Sequence, residues 1–283
     1  MAESTITAAE LTAEQVQKIL VKPLEQASAF LAAGPRVFDT NGSQVRIPKL
    51  GGATNPSWIG ENELIPEADV SFDEVVLLPS TMKSVKTLTR FSNELARQSV
   101  VSIDAALRDR LVSDVAAKID GQLLSATGDG ITIPRGIFAY EGVQNIAVGG
   151  ALTLDDLLDA WGLLLSANAN TAAAKWVLSP EQFTGLRKVK DTSGQYIVNA
   201  DPSADATFRL FGSQVIVSNR VAAGSAALVD FSQIAVARDQ APTVKVLDQT
   251  FGDYDQMALR VTARYDAAPV NAEAVVTLTG ITA

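Results

Sequence analysis

Hydrophobic residues repeat at helical spacing in two long segments of the chain. Between Asn93 and about Leu124, apolar positions four residues apart predict one amphipathic helix of about 48 Å. This apolar stripe consists of Leu107, Leu111, Val115, Ile119 and Leu123. Residues 1–33 show a narrower apolar face after a capping-box pattern at Thr12 and Gln15, which predicts a helical arm. This arm could pack on its own domain or on a neighbouring subunit.

Between these helices the pattern changes to alternation, which is typical of strands. Residues 45–50 and the longer run 70–88 predict two extended segments, interrupted at Pro48 and Pro79. A hairpin with arms of roughly 15 residues would reach about 50 Å. Because a two-stranded ribbon is only marginally stable in water, the hairpin needs another surface to lie on. The pattern therefore indicates an oligomer.

An acidic cluster lies inside the predicted hairpin, with no lysine or arginine between its members. It consists of Glu61, Glu63, Glu67, Asp69, Asp73 and Glu74. The cluster could be a solvated surface, or it could contact basic residues of a neighbour and so set the register and the rate of assembly. A metal site is a third interpretation, although the cluster lacks the 12-residue frame and central glycine of a calcium loop.

The rest of the chain mixes helical and strand patterns and predicts an α+β fold. Predicted helices occupy 153–169 and 179–190, and predicted strands occupy 131–139, 175–178, 215–218, 227–231 and 234–237. Asp155 and Asp156 fall in the first turn of a helix, where capping explains them better than metal binding. The segments 257–262 and 274–278 are expected to pair antiparallel, with one face packed on the long helix.

The composition excludes most catalytic chemistry. The chain has 283 residues but no cysteine and no histidine, so thiolate nucleophiles, Cys/His zinc sites and histidine bases are excluded. The net charge is −9 and the lysines and arginines are scattered, so a grip on duplex DNA is not predicted. No stretch reaches the roughly 18–20 apolar residues of a membrane helix, and the first residues lack a secretory signal pattern. We expect a soluble protein made in a cytoplasm, with no cofactor and no membrane contact.

A motif search gives no nucleotide-binding glycine loop, no nucleophile elbow and no metalloprotease motif. An enzyme built on this chain would depend on carboxylates such as Glu61, Glu63 or Asp69 with a metal ion. A metal-dependent carboxylate hydrolase is therefore kept as an alternative from a different class of protein. The expectation is that the chain is not an enzyme.

Four stretches of the chain follow one another in a characteristic order. They are residues 57–138, beginning SWIGENELIPEADV; residues 175–198, KWVLSPEQFTGLRKVKDTSGQYIV; residues 210–218, LFGSQVIVS; and residues 257–276, MALRVTARYDAAPVNAEAVV. Together with the order of the predicted elements, they resemble the major capsid proteins of tailed bacteriophages, with their Hong Kong 97-type fold, over roughly residues 40–283. No single motif is diagnostic, but the ordered set is specific.

The resemblance implies a division of the chain into named parts. These are an N-terminal arm at 1–43, an extended loop at 44–88, a peripheral domain with a spine helix at 89–147 and 240–283, and an axial domain at 148–239. It also implies hexamers and pentamers in an icosahedral shell that encloses double-stranded DNA without sequence-specific binding. The protein would occupy the virion, and the host cytoplasm during assembly.

The resemblance further implies that the extended loop lies on a neighbouring subunit. The expected contact residues are Trp58, Glu61, Glu63, Glu67, Asp69, Arg97 and Arg108. Each subunit would bury well above about 2,000 Å² in obligate interfaces. Expected partners are a separate scaffolding protein, because no large scaffolding segment precedes the resemblance, together with a portal and decoration proteins.

The chain departs from the family in one feature that bears on covalent stability. Some members join subunits by a Lys–Asn isopeptide bond that a glutamate in the closing strands assists. Here no glutamate lies between Tyr254 and Asp266, and no asparagine lies between Arg220 and Val270. We expect no such cross-link. The main alternative of the same fold is an encapsulin-type nanocompartment shell, which packages protein cargo.

Overall fold

The computed structural model describes residues 28–51, 58–64, 71–78, 84–92, 103–198 and 208–282. The helices are α1 (Ala29–Ala32), α2 (Ile103–Leu123), α3 (Leu154–Ser166) and α4 (Pro180–Arg187). The strands are β1 (Arg36–Asp39), β2 (Val45–Gly51), β3 (Ser71–Leu77), β4 (Val85–Ser92), β5 (Gln144–Ala147), β6 (Ala174–Leu178), β7 (Arg209–Leu210), β8 (Ser213–Val217), β9 (Ala226–Asp230), β10 (Ile234–Phe251), β11 (Gln256–Pro269) and β12 (Val275–Thr279). The predicted α+β class is confirmed. The capping-box pattern at Thr12 and Gln15 lies outside the described residues.

The first sheet has four strands in the order β1-β10-β11-β4, and the long helix α2 covers one of its faces. β1 runs parallel to β10, whereas the other pairs are antiparallel. The predicted stripe of α2 is buried from Leu111 through Leu123. It packs against alternate residues of β11, Leu259, Val261 and Ala263, as the alternation predicted. Of the predicted helix 93–124, residues 93–102 lie outside the described part.

The second sheet has six strands in the order β5-β12-β9-β6-β8-β7. Helix α3 packs on it, and buried Trp176 and Leu228 lie in the same core as Leu157 of α3. Both helices of this part begin with a capping box, at Thr153 with Asp156 and at Ser179 with Gln182. Each box satisfies backbone N–H groups that the first helical turn leaves unpaired. The capping role predicted for the first turn of α3 is therefore confirmed.

The predicted pairing of the last two strands is wrong. Residues 257–262 belong to β11, which pairs with β10 and β4, whereas 275–279 form β12 in the other sheet. Residues 257–262 alternate between buried and more exposed positions, whereas 275–279 form an apolar run that is buried on both faces. Either pattern indicates a strand and its buried faces, but neither names the partner strand. A second error concerns β10, for which only 234–237 was predicted although the strand runs for 18 residues.

The predicted strand 131–139 is also wrong, because this segment is a loop held by hydrogen bonds to Asp129, followed by a short 3₁₀ helix at Ile137–Ala139. The Asp129 carboxylate accepts hydrogen bonds from the amides of Ile131, Thr132 and Ile133 at 2.8–2.9 Å. The Thr132 hydroxyl donates to the same carboxylate. These hydrogen bonds hold the pKa of Asp129 far below its usual range, the hydroxyl contributing most and the amides adding to it.

Gly136 sets the close approach of this loop to the end of α2. A Cβ atom added there would lie 2.1 Å from the Ser125 carbonyl oxygen and 2.7 Å from that of Gln122. We expect Gly136→Ala to lower the free energy of unfolding by about 2 kcal/mol, because backbone must shift to admit the methyl group. The matched control is Gly162→Ala in α3, where no atom lies within 4 Å. Urea unfolding should find this control neutral or stabilised by about 0.5–1 kcal/mol, and equal midpoints for the two variants would contradict the packing argument.

Candidate assembly surfaces

The predicted hairpin is present as the antiparallel pair β2–β3. Its register runs from Val45 opposite Leu77 to Gly51 opposite Ser71, which is seven residues per strand and about 23 Å. The predicted single run 70–88 is wrong, because β3 ends at Leu77 and β4 joins the four-stranded sheet instead. The segments 52–57 and 65–70 lie outside the described residues, so the full predicted reach of the arms stays a prediction.

The base of the hairpin is packed on the four-stranded sheet. Val45, Ile47 and Val75 lie on one face of the ribbon, and they pack with Leu77 against Ala235 and Ala237 of β10. Ala235 and Ala237 alternate with residues that face α2, so the hairpin covers the sheet face that is opposite the long helix.

Both ends of the hairpin are fixed to this sheet by polar contacts. Leu78, where the chain leaves β3, is buried at φ 53°, and its N–H donates to the Asp266 carboxylate at 2.9 Å. At the other end, the amide of Gly42, between β1 and β2, donates to Asp239 of β10. Just before it, Arg238 donates to Asp39, the last residue of β1, at 2.6 Å. That hydrogen bond lowers the pKa of Asp39 against the opposing effect of partial burial, and the positive charge of Arg238 adds to the lowering. Polar contacts to the four-stranded sheet therefore fix the position of both the entry and the exit of the hairpin.

The outer face and tip of the hairpin leave large apolar side chains in solvent. Leu50 and Phe72 are cross-strand neighbours and are 69% and 77% exposed. Trp58 and Leu64 of the described tip, residues 58–64, are fully or almost fully exposed. Clustered exposure of this kind on one ribbon marks an interaction surface.

The structure brings only part of the predicted contact set together. Trp58, Glu61 and Glu63 lie at the exposed tip, where Glu63 accepts a hydrogen bond from the Gly60 amide at 3.1 Å. Glu67, Asp69 and Arg97 lie outside the described residues, and Arg108 lies on α2 in a stretch where only the backbone is described. Among the described residues no group of three or more acidic side chains has an arrangement that could hold a metal ion.

A basic surface that the sequence analysis missed lies on the same sheet face as the hairpin base. Its members come from three strands and border a cleft of about 410 Å³. They are Lys86, Gln240, Thr243, Lys245, Arg260, Thr262 and Arg264. Register brings them together, since Lys86 lies opposite Thr262 and Lys245 lies opposite Arg260. Arg264 forms an ion pair with Asp239 at 3.0 Å. The cations are up to 178 residues apart in sequence (264 − 86), so the sequence has no basic run that would indicate this surface.

A buried carboxyl group on the long helix joins three parts of the chain. Asp120 is fully buried and accepts hydrogen bonds from the Ser28 hydroxyl at 2.5 Å and the Ala29 amide at 2.8 Å. A third contact comes from the Phe30 amide at 3.3 Å. Arg220, in the loop after β8, reaches the same group at 3.5 Å. Asp120 therefore ties the residues before and within α1 and a loop of the second sheet to α2.

Comparison with known proteins identifies this architecture. The capsid of a native GTA particle, computed with C5 symmetry, superposes with a TM-score of 0.76 at 18% identity and covers 90% of both chains. This likeness establishes the fold, which is that of the Hong Kong 97-type capsid proteins. The family model described as "Phage capsid family" matches residues 9–280. The chain belongs to this family.

Curated relatives agree with the family assignment. The major capsid protein of Halomonas phage phiHAP-1 is 25% identical over 240 residues, which cover 84% of this chain and 38% of that protein. The major capsid protein of Enterobacteria phage HK97 is 22% identical over 192 residues, which cover 66% of this chain and 47% of that protein. The chain thus spans less than half the length of these relatives. Their names favour the capsid interpretation over the encapsulin and hydrolase alternatives. No helix in the described residues is both long and apolar enough to cross a membrane.

Proposed function

We propose that this chain is the shell-forming major capsid subunit of a tailed phage, and that it has a structural role rather than a catalytic one. The observation that carries the proposal is the hairpin β2–β3, which is fixed at its base and exposes apolar side chains along its length. A monomer gains nothing from holding Leu50, Phe72 and Trp58 in water, whereas a subunit in a shell can bury them against a neighbour.

The hairpin of one subunit lies on the sheet of the next in this proposal. The acidic tip, with Glu61 and Glu63, lies against the basic surface of the next subunit. The apolar half of the same sheet face is already covered by the next subunit's own hairpin. Opposite charges of this kind set register and speed encounter more than they add affinity. Such head-to-tail contacts generate closed rings when the rotation between subunits allows it.

The larger assembly follows from the same proposal. Rings of five and six subunits would form an icosahedral shell around double-stranded DNA, built in the host cytoplasm and retained in the virion. In this proposal the six-stranded sheet belongs to the axial domain, and the four-stranded sheet with α2 belongs to the peripheral domain. The expected boundaries put β5 and β12 in the peripheral domain, but both strands pair within the six-stranded sheet, and the proposal therefore moves them to the axial domain. The net charge of −9 suits a wall that encloses DNA without gripping it. Scaffolding, portal and decoration proteins are the expected partners.

Negative-stain electron microscopy of the purified chain, alone and co-expressed with the neighbouring genes of its genome, tests this proposal. We expect rings or closed shells in at least one of these samples. A compact monomer under every condition would contradict the proposal, because it would leave the exposed hairpin without a partner.

The shells should be held together without covalent bonds. Because no glutamate lies between Tyr254 and Asp266, the group that assists isopeptide formation in some relatives has no counterpart in β11. We expect purified shells boiled in detergent to run as a single band of about 30 kDa, the mass of one chain. A ladder of multiples of this mass would show a cross-link and contradict the expectation.

A further inference from the structure

Trp58 has the properties of a binding anchor without a pocket in its own subunit. It is fully exposed, whereas Trp176 is fully buried and donates its ring N–H to the Leu210 carbonyl. An exposed tryptophan adds no packing energy to the folded subunit, yet it offers a large, rigid surface to a partner. Tryptophan is also among the residues most enriched at energetic centres of protein interfaces.

A groove of matching character runs between α2 and the edge strand β4. It has a volume of about 470 Å³. The buried side chains of Val115, Ile119, Leu123 and Tyr265 are among the residues that line it, together with Val85, Ile133 and Pro134. An apolar cleft of this size falls in the range of sites that hold compact organic groups, and an indole ring is one of these.

One wall of the groove is held rigid before any partner arrives. The Gln122 amide donates to the Pro134 carbonyl at 2.8 Å and to the Thr127 carbonyl at 3.1 Å. Asp129 fixes the amide of Ile133, which is 48% exposed. A preorganised wall lowers the entropy cost of binding because it does not have to be ordered by the partner.

The charges around the groove fit the residues that follow Trp58. The charged residues that border the groove are Lys86, Lys118 and Asp114, and the charge of Asp114 is balanced by its ion pair with Arg110. Lys86 and Lys118 are exposed, and Glu61 and Glu63 follow Trp58 closely in the chain. Lys86 also belongs to the basic surface of the sheet. A hairpin tip that enters the groove can therefore pass beside Lys86 and bring its carboxylates towards that surface.

We propose that the groove between α2 and β4 of one subunit binds Trp58 of a second copy of this chain. The proposal rests on the proposed function, since it requires the hairpin to lie on a neighbouring subunit, and it names the anchor and the pocket of that contact. The occupant is a second copy because Trp58 is fully exposed in its own subunit and the acidic tip is opposite in charge to the two lysines of the rim.

Disulfide trapping tests the proposal without interference from native thiols, because the chain contains no cysteine. Ile59→Cys is mixed with an equal amount of a differently tagged Lys118→Cys or Lys86→Cys chain, assembled and oxidised. We expect a mixed dimer band with at least one of the two rim variants, since a disulfide needs Cα atoms within about 7 Å. Ile59→Cys mixed with Arg209→Cys, on the exposed strand β7 of the other sheet, is the control and should give no band above background.

The outcomes separate the two proposals. Shells that form without a mixed dimer at either rim position would overturn the Trp58 pocket and leave the capsid function standing. Failure of the unmodified chain to assemble in any sample would overturn both.

A second measurement keeps the test independent of cysteine placement. Trp58→Ala should raise the protein concentration needed for assembly by about 30-fold or more, and Trp58→Phe should raise it less. The control Leu165→Ala removes another exposed apolar side chain, on α3, and should change this concentration by less than about 3-fold. Equal assembly of Trp58→Ala and wild type would contradict the anchor role, provided that circular dichroism shows both folded.

Discussion

Replacement of Asp120 by alanine is expected to lower the free energy of unfolding by about 3 kcal/mol. The substitution leaves the Ser28 hydroxyl and the amides of Ala29 and Phe30 without their acceptor in a buried site. Arg220 loses a partner as well, but its side chain is 37% exposed, so water compensates for part of that loss. Urea unfolding followed by circular dichroism measures the change.

The same helix provides a matched control. Asp114 is an exposed aspartate that forms an ion pair with Arg110 one turn away at 3.1 Å. Asp114→Ala should cost at most about 0.5 kcal/mol, since exposed pairs of this spacing contribute little. Asp120→Asn should fall between the two, because it keeps one acceptor oxygen. Equal destabilisation by Asp114→Ala and Asp120→Ala would show that Asp120 does not join the three segments as described.

Reversal of charge at the hairpin tip is expected to slow assembly without affecting the fold. In the proposed contact, the double variant Glu61→Lys/Glu63→Lys would place two cations against the basic surface of the neighbour, and the initial rate should fall at least about 10-fold at low salt. Both positions are exposed, so the thermal midpoint of the isolated subunit should stay within about 2 °C of the wild type. Light scattering during assembly measures the rate.

A complementary variant tests whether the tip contacts the basic surface of the neighbour. Lys245→Glu/Arg260→Glu reverses two exposed cations of the basic surface and should restore much of the lost rate when it is combined with the tip reversal in one chain. At about 1 M salt the differences should largely disappear, because screening then acts within about 3 Å. If the combined variant assembles no faster than the tip reversal alone, the acidic tip binds some other surface.

The local features of the fold could be predicted because they depend on residues close together in sequence. The stripe Leu111 to Leu123 predicts both a helix and its buried face, since residues four apart share one side of a helix. Ser179 and Gln182 predict a helix start for the same local reason. The hairpin β2–β3 was indicated by alternation in both of its strands.

Features that depend on distant pairing could not be predicted in this way. β11 alternates and β12 is an apolar run, yet neither pattern shows that β12 pairs with β9 and β5 in the other sheet. Asp120 is one acidic residue among many in the sequence, and only the fold places it against Ser28 and Arg220. The basic surface could not be predicted for the same reason, since strand register alone brings Lys86 next to the β11 cations.

Only one half of the proposed contact could be proposed from the sequence. This half is the acidic tip with Trp58, because the hairpin and the acidic cluster are contiguous in the chain. The basic surface, which is the other half of the proposed contact, could not be proposed from the sequence, because its members are contributed by β4, β10 and β11. An interface between copies needs both halves, and only one of them is local in sequence.

Cryo-electron microscopy of assembled particles tests the central claim most directly, because it locates each hairpin relative to its own and its neighbouring subunit. We predict that residues 58–64 of every subunit in a ring lie on the four-stranded sheet and α2 of the next subunit, with the acidic tip within ion-pair distance of that subunit's basic surface. Particles in which each tip folds back onto its own subunit, or projects from the shell without touching a neighbour, would contradict the claim.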